Sequence, residues 1–360
     1  MTGGAMRTAH ACAYTVLLLS ATGYTGFAES QPTPPPPPAS ASGNTVLVTV
    51  DNFIRAESDK ALASTVKLDG FGKFYHAREL SPLDRQIVAR QNRDTLYSLA
   101  VIDFDAGPVT VTLPEAGSRF ISIIVIDEDH YVVDVVYGPG SYTFTKDKIG
   151  TRYALVAIRM LVDPANPRDV EQVHALQDAL KAEQPGGPGR FEIPDWDPAS
   201  QEKVRNALVA LGETLPDWKH AAGRRGEVDP VRHLIVTATG WGLNPDKDAI
   251  YLNVTPSRND GATVYKLTVK DVPVDGFWSI SLYNGEGFFA PNKFNAYTLN
   301  NITAKKSGDG SVVIQFGGCD EQIANCLPTM PGWNYIVRLY RPRPEILDGT
   351  WKFPEAQAVN

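Results

Sequence analysis

The sequence predicts a mainly β protein: two β-sandwich or jelly-roll-like domains joined by a small helical segment. Three observations carry that prediction. Runs rich in β-branched and aromatic residues recur from Ile87 to Phe144 and again beyond about Val231, separated by Gly, Pro and Asp. Strict alternation appears in "TVYKLTVKDV", where Tyr265, Leu267 and Val269 oppose Val264, Lys266, Thr268 and Lys270, as a sheet with one buried and one wet face requires. Between these stretches, residues 166–230 place apolar side chains at helical spacing.

Residues 1–28 read as a secretory signal peptide. Arg7 precedes the apolar run "ACAYTVLLLSATGYTGFA", and Gly26 and Ala28 offer small side chains at a cleavage point. The strongly apolar part is shorter than the roughly 20 residues that cross a bilayer, so no transmembrane span is expected. Residues 29–44, with "QPTPPPPPASASG", form a Pro-rich linker, because polyproline makes no internal hydrogen bonds and offers nothing to a core.

The N-terminal β domain is expected over 45–165. It opens with a short β-like run in "NTVLVTV" and a helix started by Asp51 that buries Phe53, Ile54, Ala61 and Leu62. "TLYSLAVIDF", "PVTVTLP", "RFISIIVID", "YVVDVVYG", "SYTFT" and "TRYALVAIRMLV" then supply antiparallel strands. The helical bridge, 166–230, holds two helices, one with Val170, Val173, Leu176 and Leu180 on a stripe and one with Val204, Leu208 and Leu211. The C-terminal domain, 231–360, reads as strands again, from "DAIYLNVTP" through "GFWSISLYN" to "NYIVRLYRP".

A formal net charge of −7 argues against nucleic acid, whose phosphates need a basic surface. Cys319 and Cys326, seven positions apart in "FGGCDEQIANCLP", suit a disulfide in an exported chain. A metal pair would need further Cys or a nearby His, so neither a metal nor a cofactor is expected.

The stretches "RQNRDTLYSLAVIDFDAGPVTVTLP", "RFISIIVIDEDHY" and "DVEQVHALQDAL" resemble the domain of unknown function 1254. "DGFWSISLYNGEGFF", "NAYTLNN", "DGSVVIQFG" and "GWNYIVRLYRPRPEILDGTWKFPE" resemble the domain of unknown function 1214. The tandem resemblance implies two β-rich domains, the second similar to a jelly roll, in an exported bacterial protein. It implies no reaction. Cys326 stands where the resemblance leads one to expect Trp in an "NWLP" motif, so no stacking role is carried to that position.

Three clusters offer chemistry. In "QNRDTLY", Arg93 suits carboxylates or hydroxyls, Asp94 suits proton transfer, and Asn92 and Tyr97 suit ligand contacts; the competing reading is that the polar run only fastens the start of a strand. In "IDEDHYVVDV", Asp127 and Asp129 would share one strand face and His130 and Asp134 the other, unless a turn regroups them. Trp278, Tyr283 and Tyr297, interleaved with Asn295, are the residue types that bind sugars, although aromatics at alternating spacing also build β cores. Arg338 on a late strand would meet an acidic ligand or a protein carboxylate. No GxSxG, HExxH, Walker or GxGxxG motif occurs.

The leading expectation is an exported, periplasmic protein that binds a small polar or carbohydrate-like ligand in a cleft between two β domains. The alternative is a cofactor-independent hydrolase, lyase or isomerase using Asp94, His130 and Arg93, which must then converge. A third reading is a homo-oligomeric envelope assembly protein pairing through jelly-roll edges.

Overall fold

In the computed structural model, which describes residues 45–86 and 89–359, helix α1 (Phe53–Lys67) leads into strands β1 (Tyr75–Ala77), β2 (Thr95–Asp103), β3 (Val109–Leu113), β4 (Ile121–Asp127), β5 (Val132–Tyr137) and β6 (Gly140–Phe144). A short helix α2 (Lys146–Ile149), strand β7 (Tyr153–Leu161), helix α3 (Pro167–Asp178) and strand β8 (Lys181–Glu183) complete the first half. The leader and linker expected over 1–44 lie outside the described residues.

Hydrogen bonding orders one sheet β1-β2-β7-β4-β5, antiparallel throughout, and a smaller one β6-β3-β8. β7 lies in the middle of the larger sheet, and all nine of its residues are buried. One face, with Ile102, Ile123, Val156 and Ile158, packs against Val109, Val111 and Phe144 of the smaller sheet. The other, with Val101, Ile124 and Leu155, meets Leu62 of α1. At about 1.5–3 kcal/mol for each fully buried Val, Ile or Leu, two dry faces fix the strand register.

Helices α4 (Pro198–Gly212) and α5 (Pro230–Thr239) pack with α1 around Phe53, Leu208 and Ile235. The run from Val231, expected to resume β structure, is helical instead. Asp229 accepts the N–H groups of Val231 and Arg232, Pro230 occupies the first turn, and burial of Ile235 and Val236 overrides the weak helix propensity of β-branched residues. Two smaller differences concern the N-terminal stretch. Val46 makes a single bridge to Trp196 in place of a strand. Asp51 does not cap α1, whose cap position is Asn52, and Ile54 and Ala61 are only half-buried while Glu57, Ser58 and Asp59 go inside. Gln201 and Arg205 meet Glu57, Trp241 meets Ser58 and Trp196 meets Asp59, so those polar groups have partners.

Beyond α5 come β9 (Ala249–Val254), β10 (Tyr265–Val269), β11 (Trp278–Tyr283), β12 (Thr298–Asn300), β13 (Val312–Phe316), β14 (Cys326–Leu327), β15 (Asn334–Tyr340), helix α6 (Pro344–Leu347) and β16 (Gln357–Ala358). They form two four-stranded sheets, β14-β13-β10-β16 and β12-β11-β15-β9, which enclose Leu267, Trp278, Ile280, Ile314, Phe316, Trp333 and Val337. β10 alternates as its sequence predicts, with Tyr265, Leu267 and Val269 inside. Cys319 and Cys326 form a disulfide. The fold is mainly β, and no helix of the described residues is long and apolar enough to cross a membrane.

Candidate functional site

Strand alternation divides β11: Trp278, Ile280 and Leu282 enter the C-terminal core, while Ser279, Ser281 and Tyr283 face the other way. On that second face, register aligns Asn300, Ser279, Arg338 and Tyr251 in one row across four strands. The N-terminal sheet has a comparable row, Tyr97, Arg159, Ser122 and Tyr137. The polar pentad Gln91–Thr95 reaches into the same layer.

There the predicted ligand-binding groups are spent on one another. Asn92 donates to the Tyr340 hydroxyl at 3.0 Å and accepts the Asp94 N–H at 2.7 Å. Asp94 is fully buried, and its Oδ1 accepts from Thr298 and Asn300, each at 3.0 Å. Arg338 donates to Ser281 Oγ and Tyr283 Oη, both at 2.8 Å, and to the Arg90 carbonyl at 2.9 Å. The Tyr283 hydroxyl in turn donates to the Gln91 carbonyl at 2.7 Å. Arg159 lies 5.7 Å from the Tyr97 ring centre and donates to Asn244 and the Gly242 carbonyl. The cleft expected between the β regions is, along these residues, a closed and bonded seam.

The remaining aromatic candidates are structural too. Trp278 packs beside Phe353 in the core, and Tyr297 packs with Phe289 and Tyr283. Asn295 is an exposed left-handed turn residue with φ 50°. Arg93 bonds the Ser81 carbonyl and lies 5.6 Å from the Tyr297 ring centre, and burial pulls its guanidinium below the ordinary value.

Nor do Asp94, Arg93 and His130 converge. Thr95, next to Asp94, pairs with Leu161 at one end of β7, whereas Asp127 pairs with Ala154 at the other. Seven residues of extended strand separate them, about 23 Å. His130 takes a left-handed φ of 64° and turns inward, between the rings of Trp241 and His233. Its Nε2 accepts the Gly242 N–H at 2.9 Å, so the proton sits on Nδ1 and is given to Thr237, which passes its own to the His233 carbonyl. Burial first, and His233 second, hold the imidazole well below its ordinary value. It is a neutral packing residue.

The turn that sends His130 inward regroups the carboxylates. A bulge at Val125/Ile126 shifts the β4–β5 register just before the turn, and Asp127 Oδ1 accepts the N–H groups of Asp129 and Tyr131 at 2.9 and 2.8 Å. A groove of about 420 Å³ opens here, lined by Asp127, Tyr131, Lys148, Gly150, Arg224 and Arg225 among others. Arg225 pairs with Asp129 at 2.7 Å and lies 4.5 Å from the Tyr131 ring centre. Lys148 and Arg224 share Asp134 at 2.7 and 3.6 Å. Burial would raise Asp129, but its bonds with Arg55 and Arg225 outweigh it and hold the carboxyl low. Asp127, which has backbone partners only, is pushed up by burial to about 7. Beneath it, burial lifts Asp59 to about 6 against the bond from Trp196.

This is the arrangement with chemistry to offer: three cations and a carboxyl that is half-protonated near neutrality line one open groove. Sequence reasoning found Asp127 and missed Tyr131, Lys148, Arg224 and Arg225. The signal for the last two was present, as adjacent arginines between Gly223 and Gly226 in "GRRG". That loop is held to β5 by the Val132 N–H on the Gly223 carbonyl at 2.9 Å.

Residues 71–184 match the family described as "Protein of unknown function (DUF1254)", and residues 250–344 match "Protein of unknown function (DUF1214)". No curated protein sequence matches the chain. Among solved structures, the VPA0106 protein of Vibrio parahaemolyticus is similar at 18% identity with a TM-score of 0.65, over 86% of this chain and 98% of that one. An uncharacterized protein of Burkholderia cenocepacia is similar at 14% identity with a TM-score of 0.51, over 86% and 88%. These likenesses extend the fold to both proteins.

Proposed function

We propose that this chain, a tandem protein in which a DUF1254 segment precedes a DUF1214 segment, is an exported binding protein for a small polar ligand that carries a carboxylate. The observation that carries the reading is the groove that Arg224, Arg225 and Lys148 line together with Asp127, the one acid among its described lining residues. Arginine forks suit planar carboxylates, and a protonated Asp127 would add a donor where an ionised one would repel. Sugar acids fall within this class, which keeps the carbohydrate-like ligand in view. Export is supported by the leader pattern of residues 1–28 and by the Cys319–Cys326 disulfide, since such bonds persist in oxidising compartments.

Calorimetric titration with small carboxylic acids, sugar acids and their neutral counterparts tests the reading. Acids should bind, neutral sugars should not, and Arg225→Ala should weaken binding about tenfold, the loss of one charge-assisted contact. Equal binding of neutral and acidic sugars would remove its basis. A second reading, a cofactor-independent acid–base enzyme, draws on the same raised carboxyl, because a group near 7 exchanges protons efficiently at neutral pH. It would show as turnover that Asp127→Asn abolishes while ligand binding survives.

A further inference from the structure

We infer that the C-terminal domain carries a second anion site, for a tetrahedral oxyanion of the phosphate class, on the outer face of the sheet that contains β10 and β13. A groove of about 270 Å³ opens there, and Lys266 of β10, Lys305 and Lys306 of the turn after β12, Gln315 of β13 and Asn325 of the disulfide loop contribute to its lining. Among the described residues no carboxylate lines it. Among the described residues none of the three lysines is ion-paired, whereas the nearby Lys270 faces Asp309 at 4.0 Å. On a chain with a net charge of −7, three uncompensated cations around one hollow form a local inversion of the field.

The hollow is built as well as charged. Asn325, at a left-handed φ of 55°, accepts the Lys305 N–H at 2.7 Å through its side-chain oxygen. Its amide donates to the carbonyls of Lys305 and Val313 at 2.7 and 3.0 Å, and its own carbonyl accepts the Gln315 N–H at 3.1 Å. The next residue, Cys326, is bonded to Cys319 and pairs with Gln315. One side chain therefore rivets the lysine turn to the disulfide loop and to β13. Of the loop's acids, Asp320 is engaged by the N–H groups of Gln322 and Ile323, and Glu321 does not line the groove.

The donor type selects the ligand. Lysine ammoniums are compact point charges that suit the dispersed oxygens of phosphate, and this groove lacks the guanidinium fork that a planar carboxylate fits.

Phosphorus NMR and calorimetry on the full chain with inorganic phosphate, sulfate and acetate test this. Phosphate and sulfate should bind saturably and acetate more weakly; Lys266→Gln, Lys305→Gln and Lys306→Gln together should weaken phosphate about tenfold. Arg225→Ala should leave phosphate binding unchanged, which separates this site from the carboxylate groove. Cys319→Ser with Cys326→Ser should also weaken phosphate, since the lysines remain while the wall that places them loosens. Sedimentation with vesicles of phosphatidylglycerol against phosphatidylcholine separates the sources: lysine-dependent capture by the anionic vesicles indicates a lipid headgroup, and phosphate binding without capture a soluble phosphate ester. Equal phosphate affinity in the triple variant, or acetate binding as tightly as phosphate, overturns the inference. If the triple variant is destabilised, the single Lys266→Gln, on an exposed strand position, gives the same reading.

Discussion

Replacing Asp127 by Asn should make the protein more stable at alkaline pH and leave it nearly unchanged in acid. The carboxyl titrates at about 7 in the fold against an ordinary value of 3.8 in the unfolded chain, because burial disfavours its charged form. Between those values the native state holds a proton that the unfolded state has lost, so stability falls as pH rises from about 4 to 7 and stays low above. At about 1.4 kcal/mol per decade, the span sets a ceiling of about 4 kcal/mol, and relaxation of the turn should bring the measured effect to about 2–3 kcal/mol. Asn keeps an oxygen for the N–H groups of Asp129 and Tyr131 and carries no charge at any pH. Urea unfolding of both proteins at pH 5, 6, 7 and 8 reads the difference directly, since titrations common to both cancel. Parallel curves across that range, or an Asn variant weaker at pH 8, would refute the account of a buried, half-protonated acid.

Arg338→Ala should cost about 2–5 kcal/mol in the same unfolding assay, because it empties a buried guanidinium position and takes donors away from Ser281, Tyr283 and the Arg90 carbonyl. His130→Ala should cost about 2–4 kcal/mol at neutral pH through lost stacking and an orphaned Gly242 N–H, and should flatten the fall in stability below about pH 6.5, where the unfolded imidazole takes up a proton that the buried one refuses. Reduction of Cys319–Cys326 should lower stability by about 2–3 kcal/mol, the loop-closure value for a short ring, read as a shift in urea midpoint.

Texture and spacing were legible in the sequence; pairing across distance was not. The alternation of β10 declared its faces, and the two cysteines declared their bond, because both depend on neighbours close in the chain. The stretch "VRHLIVTAT" misled for the opposite reason: its β-branched residues favour a strand, and only packing against Phe53 and Leu208, far off in sequence, pays for a helix. Asn92, Asp94 and Arg338 looked like ligand groups because nothing local satisfies them. Asn92 and Asp94 find their partners on the C-terminal sheet, and Arg338 finds its own on the neighbouring strand β11 and at the Arg90 carbonyl, contacts that exist only once the chain has folded. The turn after Asp127 likewise reverses a strand-face reading, sending His130 inward and placing Asp127 in the groove, while Asp129 and Asp134 hold its cations from outside the lining.

Polarity alone therefore does not separate seam from groove, and neither does the presence of protein partners; exposure does. In the seam, Arg338, Asn92 and Asp94 are bonded within the protein, and the few groups left over, such as Asp94 Oδ2 and Ser279 Oγ, are sealed from solvent. In the groove, the cations are partly exposed, Arg225 at 67%, and retain donors for a ligand. Hydrogen exchange should separate the two. Amides of β11 and β15, paired over six positions and buried on both faces, should exchange only through global unfolding, whereas those of residues 223–226 should open locally and slow when a carboxylate binds. Were the seam amides to exchange as fast as the loop, the seam would be a working cleft after all, and Asp94 with Arg338 would return as the candidates to test.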